Sequence, residues 1–190
     1  QRVTLDEATV RPAWSTSWLR GRPALHVDLA GPQGRAVGTL TLGAEPGFDG
    51  DLDQVDLSKL PLESALSGLS LDGIASGALD LRRTGAGPRG SFDLEARGGS
   101  VALPGVPVAL PYETLEAKGK LTDLLLAEGL EVALTGPMLT AQISGTVGQA
   151  AVPAAAPLDL ALRVQVVDPS LQPMLMGTGL RFGQDGSAEM

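Results

Sequence analysis

The chain has 190 residues, a formal charge of −8 and a pI near 4.6. With no basic stripe, that balance argues against nucleic acid or an anionic membrane surface as partner, where Lys and Arg drive binding. Hydrophobic residues make up 43% but aromatics only 3%, so any interior must be built from Leu, Val and Ala. The 25 glycines and 14 prolines suit many short strands joined by turns rather than a helical bundle. Cysteine is absent, so there is neither a disulfide framework nor a thiolate metal site. No apolar run reaches the roughly 18–20 residues needed to span a bilayer, and no signal peptide opens the chain. It begins at Gln1, and we expect a fragment from which an anchor or signal has been removed.

Val3 and Leu5 predict a short opening strand. Trp14 and Trp18 follow in a polar segment and are expected to plug one end of a sheet. Leu25, Val27 and Leu29 form the next strand, with His26 and Asp28 facing the other way. After the turn signal Gly31-Pro32-Gln33-Gly34, Gly38, Leu40 and Leu42 alternate with Thr39 and Thr41, which predicts a hairpin. Asp49, Asp51 and Asp53 have the spacing that opens an EF-hand loop. Its sixth and twelfth positions would be Gly and Glu, and here they are Gln54 and Leu60. The aspartates are better read as the wet face of a strand whose other face carries Phe48 and Leu52.

Over Leu57–Gly68 the period changes. Leu62, Ala65, Leu66 and Leu69 fall at i, i+3, i+4 and i+7, which predicts a short amphipathic helix across the rim of the sheet. The stretch Leu69–Leu81 then sets the design that the rest of the chain repeats. Leu69, Leu71, Leu79 and Leu81 share one parity, and Ser70, Asp72, Ser76 and Asp80 the other, with Ile74 the exception. Side chains alternate across a strand, so this period of two gives one apolar and one wet face. Gly73 and Gly77 read as bends in a curving sheet.

Thr84–Gly90 is expected to return the chain as a loop, and Phe92, Leu94 and Ala96 resume the alternation. Gly98-Gly99 reads as another turn. Prolines at 104, 107 and 111 place the next piece at an edge or in a crossover, because proline cannot donate to a ladder. Strands follow at Leu115–Leu121, Leu130–Leu134 and Leu139–Val147. After an Ala/Pro-rich loop from Gln149 to Pro157 comes the cleanest alternation, Leu158, Leu160, Leu162, Val164 and Val166. Asp168-Pro169-Ser170-Leu171 then opens a second short helix, with an N-cap and a proline at its first position.

The two interruptions resemble each other. Asp56-x-Ser58-x-x-Pro61 matches Asp168-x-Ser170-x-x-Pro173, and Asp72-Gly73 matches Asp185-Gly186. This predicts an internal repeat around residues 50–81 and 162–186. The second copy stops at Met190, so we expect one or more C-terminal strands to be missing. The expected fold is all-β: a curved, highly twisted antiparallel sheet, shaped as a half-barrel or folded trough, with two short helices and one domain over 1–190.

The elements Asp-Leu-x-x-Leu-Pro and Leu-x-Gly-x-x-x-Gly-x-Leu-x-Leu between Gly50 and Leu81 resemble the AsmA-like and TamB-like periplasmic β proteins. Leu110-Pro-Tyr-Glu-Thr-Leu-Glu-Ala-Lys118 and Asp168-Pro-Ser-Leu-Gln-Pro-Met-Leu175 narrow this. Together they resemble the type II secretion system protein N family in its deltaproteobacterial variety, over most of the chain from about Thr9 onward. The resemblance implies a periplasmic domain tethered to the bacterial inner membrane by an N-terminal anchor. Its partners would be other subunits of the secretion apparatus, on the inner-membrane platform or the secretin side. The motifs are structural, so no catalytic residue is carried over.

The residues themselves give no catalytic signature. His26 has no nucleophile elbow near it, and there is no HExxH, Walker A or dinucleotide fingerprint. We expect a non-enzymatic docking component with no cofactor and no metal site. The alternative is a lipid-binding trough lined by Leu69, Leu71, Leu79, Leu81, Leu158, Leu160, Leu162 and Val164. A packed core and a lipid groove need the same alternation, and filled cores are the commoner.

Overall fold

The computed structural model describes residues 6–14, 23–60, 69–85, 87–103, 106–122, 125–148, 157–171, 173, 175, 183 and 186–189. Twelve strands form one antiparallel sheet, curved and unclosed. They are β1 (Glu7–Pro12), β2 (Ala24–Gly31), β3 (Gly34–Thr41), β4 (Gly47–Asp56), β5 (Ser70–Leu71) and β6 (Ile74–Thr84). The second half comprises β7 (Gly87–Ala102), β8 (Leu110–Leu121), β9 (Leu125–Thr135), β10 (Leu139–Gly148), β11 (Leu158–Val166) and β12 (Ser187–Glu189). Each strand pairs with the next in sequence, except that β5 pairs with the far end of β7, so that β4 neighbours β6. Such a meander needs only short connections.

The alternation read from the sequence is kept in register across the whole sheet. Ala8, Leu29, Ala36, Leu52, Gly77, Leu94, Ala117, Val132, Ile143 and Leu162 are successive cross-strand partners from β1 to β11. One residue along, Asp51, Ala78, Asp93, Lys118, Glu131, Ser144 and Ala161 form the matching row on the other face. A slip of one residue anywhere would carry leucines to the wet face, so each strand fixes the register of the next. Bulges bend the sheet between Leu52 and Val55, Lys118 and Lys120, and Gly145 and Gly148. In the first, Gln54 takes a φ of 50° and its N–H donates to Ser76 Oγ at 3.1 Å.

Several expectations need correction. The helix predicted over 57–68 is a 3-10 turn at Leu57–Lys59 in its described part, and 61–68 lie outside the described residues. The second is likewise a 3-10 turn, Pro169–Leu171, with helical backbone again at Pro173 and Leu175. Asp56 and Asp168 open the two turns in the same way, each accepting from the N–H of the serine two residues on, at 3.1 and 2.9 Å. These side-chain bonds close each turn at its start. Gly98-Gly99 is no turn. β7 runs straight through it, pairing first with β6 and then with β5. Thr84–Gly90 is a tight hairpin rather than a loop, with Thr84 opposite Gly87. Pro111 lies inside β8, opposite Ser100 of β7, but β8 pairs with β9 only from Thr114 onward. At Pro111 the strand has one partner, which is why a missing N–H is tolerated. Trp14 is 77% exposed rather than buried as a plug, while Trp18 and the strand predicted at Val3–Leu5 lie outside the described residues.

Most of the fully buried apolar side chains gather at one end of the sheet. Val106, Leu110, Leu139, Val164, Val166, Leu171 and Leu175 form one cluster, and Ala75, Ala96, Val101 and Tyr112 a second beside it. Ala24 and Val27 of β2, Ala127 of β9 and Ala188 of β12 are buried outside these clusters. The strands form one continuous sheet rather than two stacked ones.

Gly77 tests this geometry. It has a φ of +148°, and a Cβ there would collide with the Asp93 carbonyl oxygen of β7. Gly77→Ala should lower stability by about 1–3 kcal/mol, read as the urea midpoint of a circular-dichroism melt; an unchanged midpoint would mean that the β6–β7 contact yields freely.

Candidate ligand-binding face

The apolar row has no second layer over it among the described residues. Leu29, Leu40, Phe48, Leu52, Leu79, Leu94, Val132, Ile143, Leu160 and Leu162 are half-buried, shielded by their neighbours but not packed under another element. In a two-layer β protein these positions would face the inner side of the partner sheet. Here they form a continuous apolar surface that runs from the packed end of the sheet toward the opposite rim.

The predicted lining residues fall into three groups. Leu79 and Leu81 of β6 and Leu160 and Leu162 of β11 stand half-buried on the uncovered face. Leu69 and Leu71 pack against the cluster around Ala75, and Val164 is buried in the cluster around Leu171. Leu158 begins β11 at 65% exposure. β6 and β11 are five strand spacings apart, about 24 Å along the sheet. Leu94, Ala117, Val132 and Ile143 fill the gap between them on the intervening strands. The same alternation marks these four, but a sequence gives no strand order, and only the register makes them central.

The packed end is fixed by Tyr112. Its ring crosses β7 at Gly99, its cross-strand partner, and its hydroxyl donates to the Asp72 carbonyl. A Cβ on Gly73, which sits at a φ of +120°, or on Gly99 would strike that hydroxyl. Burial raises the Tyr112 pKa, and the Asp72 carboxylate adds to the shift. The hydrogen bond and the shift both favour the protonated phenol.

The other face is polar and laddered with ion pairs. Arg35 donates to both carboxylate oxygens of Asp28, at 2.8 and 2.6 Å, which holds the Asp28 pKa below its ordinary value. Lys118 reaches Glu131 at 3.0 Å across β8–β9. Asp49, Asp51 and Asp53 sit on the exposed side of β4, a regular strand rather than a cation loop. Shallow clefts of about 480 and 660 Å³ on this face are walled by Asp93, Lys118 and Glu131. His26 is exposed on β2, level with Arg11 and Thr39. Among the described residues no three His, Asp or Glu side chains converge as a metal site would require. No family model, curated protein or solved structure matches the chain.

Because the folded-state pKa of Tyr112 lies above its unfolded value, its contribution is complete below pH about 10 and is lost as pH rises through the folded value. Tyr112→Phe should cost about 0.5–1.5 kcal/mol at neutral pH and soften the alkaline decline in stability. Identical pH–stability curves for the two proteins would show that the hydroxyl contributes nothing.

Proposed function

We propose that this chain is a non-enzymatic periplasmic component of a type II protein secretion apparatus, tethered to the inner membrane in its parent protein, and that it docks other subunits along its sheet. The family resemblance of the motifs at Gly50–Leu81, Leu110–Lys118 and Asp168–Leu175 supports the system. The observation that carries the docking role is the unclosed sheet, whose path ends at β1 and β12 without joining. An edge strand offers a row of unpaired amides and carbonyls to an incoming strand and needs no special side chains. In β1, Ala13 donates to Ala24 on the β2 side. Alternation along the strand then turns the amides of Ala8 and Val10 outward. Val10→Pro removes one outward donor without breaking a β1–β2 bond. It should abolish co-purification with the secretion subunits while the circular-dichroism spectrum stays unchanged; undiminished co-purification would exclude docking at this edge.

A second reading has its own support. The half-buried apolar face, which no second layer covers among the described residues, suits acyl chains, and on this reading the sheet is a lipid trough. Leu162 stands near the middle of that face, opposite Ile143. In native mass spectrometry followed by organic extraction, the purified protein should carry lipid, and Leu162→Asp should lose it while remaining folded. A bare mass for the parent protein would rule the trough out.

A further inference from the structure

Among the described residues β1 pairs with β2 alone, and no strand lies on its other side. Most of its residues are exposed, Val10 at 53%. Because Ala13 donates to Ala24, the odd-numbered residues turn their backbone groups toward β2, while Ala8 and Val10 turn theirs away. The side chains alternate too. Ala8 and Val10 stand on the apolar face, opposite Leu29 and Val27. Glu7, Thr9 and Arg11 stand on the polar face, opposite Ala30, Asp28 and His26. Glu7 and Arg11 thus flank Thr9 symmetrically, with opposite charges. Neither forms an ion pair with another described residue. Glu7 feels Arg35 of β3, which is already held by Asp28. Charged side chains on an edge usually block strand addition. An antiparallel copy of this same strand is the exception, because the order Glu7, Thr9, Arg11 is complementary to its own reverse.

We propose that β1 pairs with β1 of a second copy of this chain, antiparallel and centred on Thr9, so that two sheets join edge to edge around a two-fold axis. The inference rests on the reading of β1 as a docking edge and names a partner for it. In this register Ala8 stands opposite Val10 of the second copy, and Val10 opposite its Ala8. Both pairs bring outward-turned backbone groups together, so each exchanges two N–H to C=O bonds. Glu7 then faces Arg11 of the second copy, and symmetry repeats the contact. These are non-hydrogen-bonded positions, where side chains approach most closely. The ladder ends at Asp6 and Pro12 without orphaning a donor. Proline has no N–H, and Asp6 gives its own to Ala30 at 2.9 Å. Sliding by two residues keeps the backbone match but sets Thr9 opposite Glu7 or Arg11, and the ion pairs are lost. The charges therefore choose the register. A two-fold axis perpendicular to the sheet leaves both apolar faces on one side, so the row that ends at Ala8 continues into the second copy.

The test is sedimentation equilibrium of the 190-residue chain at about 0.15 M salt, where screening confines repulsion between the acidic copies to about 8 Å. The wild type should dimerise with a dissociation constant between about 1 μM and 1 mM, as a short edge contact allows. Glu7→Arg and Arg11→Glu each set like charges opposite one another. Each should weaken the dimer about tenfold with an unchanged circular-dichroism spectrum. Mixed in equal amounts, the two single variants should form a heterodimer, and the double variant Glu7→Arg/Arg11→Glu should recover wild-type association. A wild type that stays monomeric over this range, or a dimer indifferent to both reversals, overturns the self-pairing. Weakening that neither the mixture nor the double variant restores overturns it as well. Growth beyond the dimer does the same, since a head-to-tail contact of β1 with β12 leaves the assembly open. Docking of other subunits is read separately in the Val10→Pro co-purification. A monomer whose co-purification still depends on Val10 overturns self-pairing and leaves that docking standing.

Discussion

The structure depends on one constraint, the unbroken cross-strand register that carries a single apolar row from Ala8 on β1 to Leu162 on β11. Every backbone ladder in the meander transmits it, because moving any strand by one residue inverts both faces from that point onward. Local propensity contributes little here. The strands are rich in glycine and poor in aromatics, so pairing and the shared face hold the sheet together rather than the preferences of individual residues.

Such a sheet must do something with its apolar face. Sandwiches and helix-covered sheets bury it under a second layer. Here the buried clusters form where Leu171, Leu175 and Val106 fold over the β8–β11 strands and Tyr112 ties β8 to Asp72 across β7. Much of the remaining face is half-buried, with Val27 on β2 buried among it.

The two faces divide the chemistry. The polar face is compensated by cross-strand ion pairs such as Asp28–Arg35 and Lys118–Glu131, both solvent-exposed and hence sensitive to salt rather than decisive for stability. The apolar face has no charge of its own until the β6–β7 hairpin, where Arg83 closes the run that begins with Leu79 and Leu81. The two proposed readings call on different surfaces: docking on the backbone of the edge strands, lipid binding on the apolar face.

The sequence by itself determined the strand content, the two faces and the β2–β3 hairpin around Pro32-Gln33, because period-two alternation is a local property. It also located both Asp-capped interruptions at Asp56 and Asp168, whose described openings are 3-10 turns. Gly98-Gly99 read as a turn because glycine pairs usually break strands, whereas here Gly99 clears a path for the Tyr112 ring, whose hydroxyl reaches an acceptor 40 residues away in sequence. Only the tertiary structure decided the order of the strands and which residues of different strands, such as Leu94 and Ile143, stand in one cross-strand row. Those features come from which strand pairs with which, and alternation within one strand does not encode its neighbour.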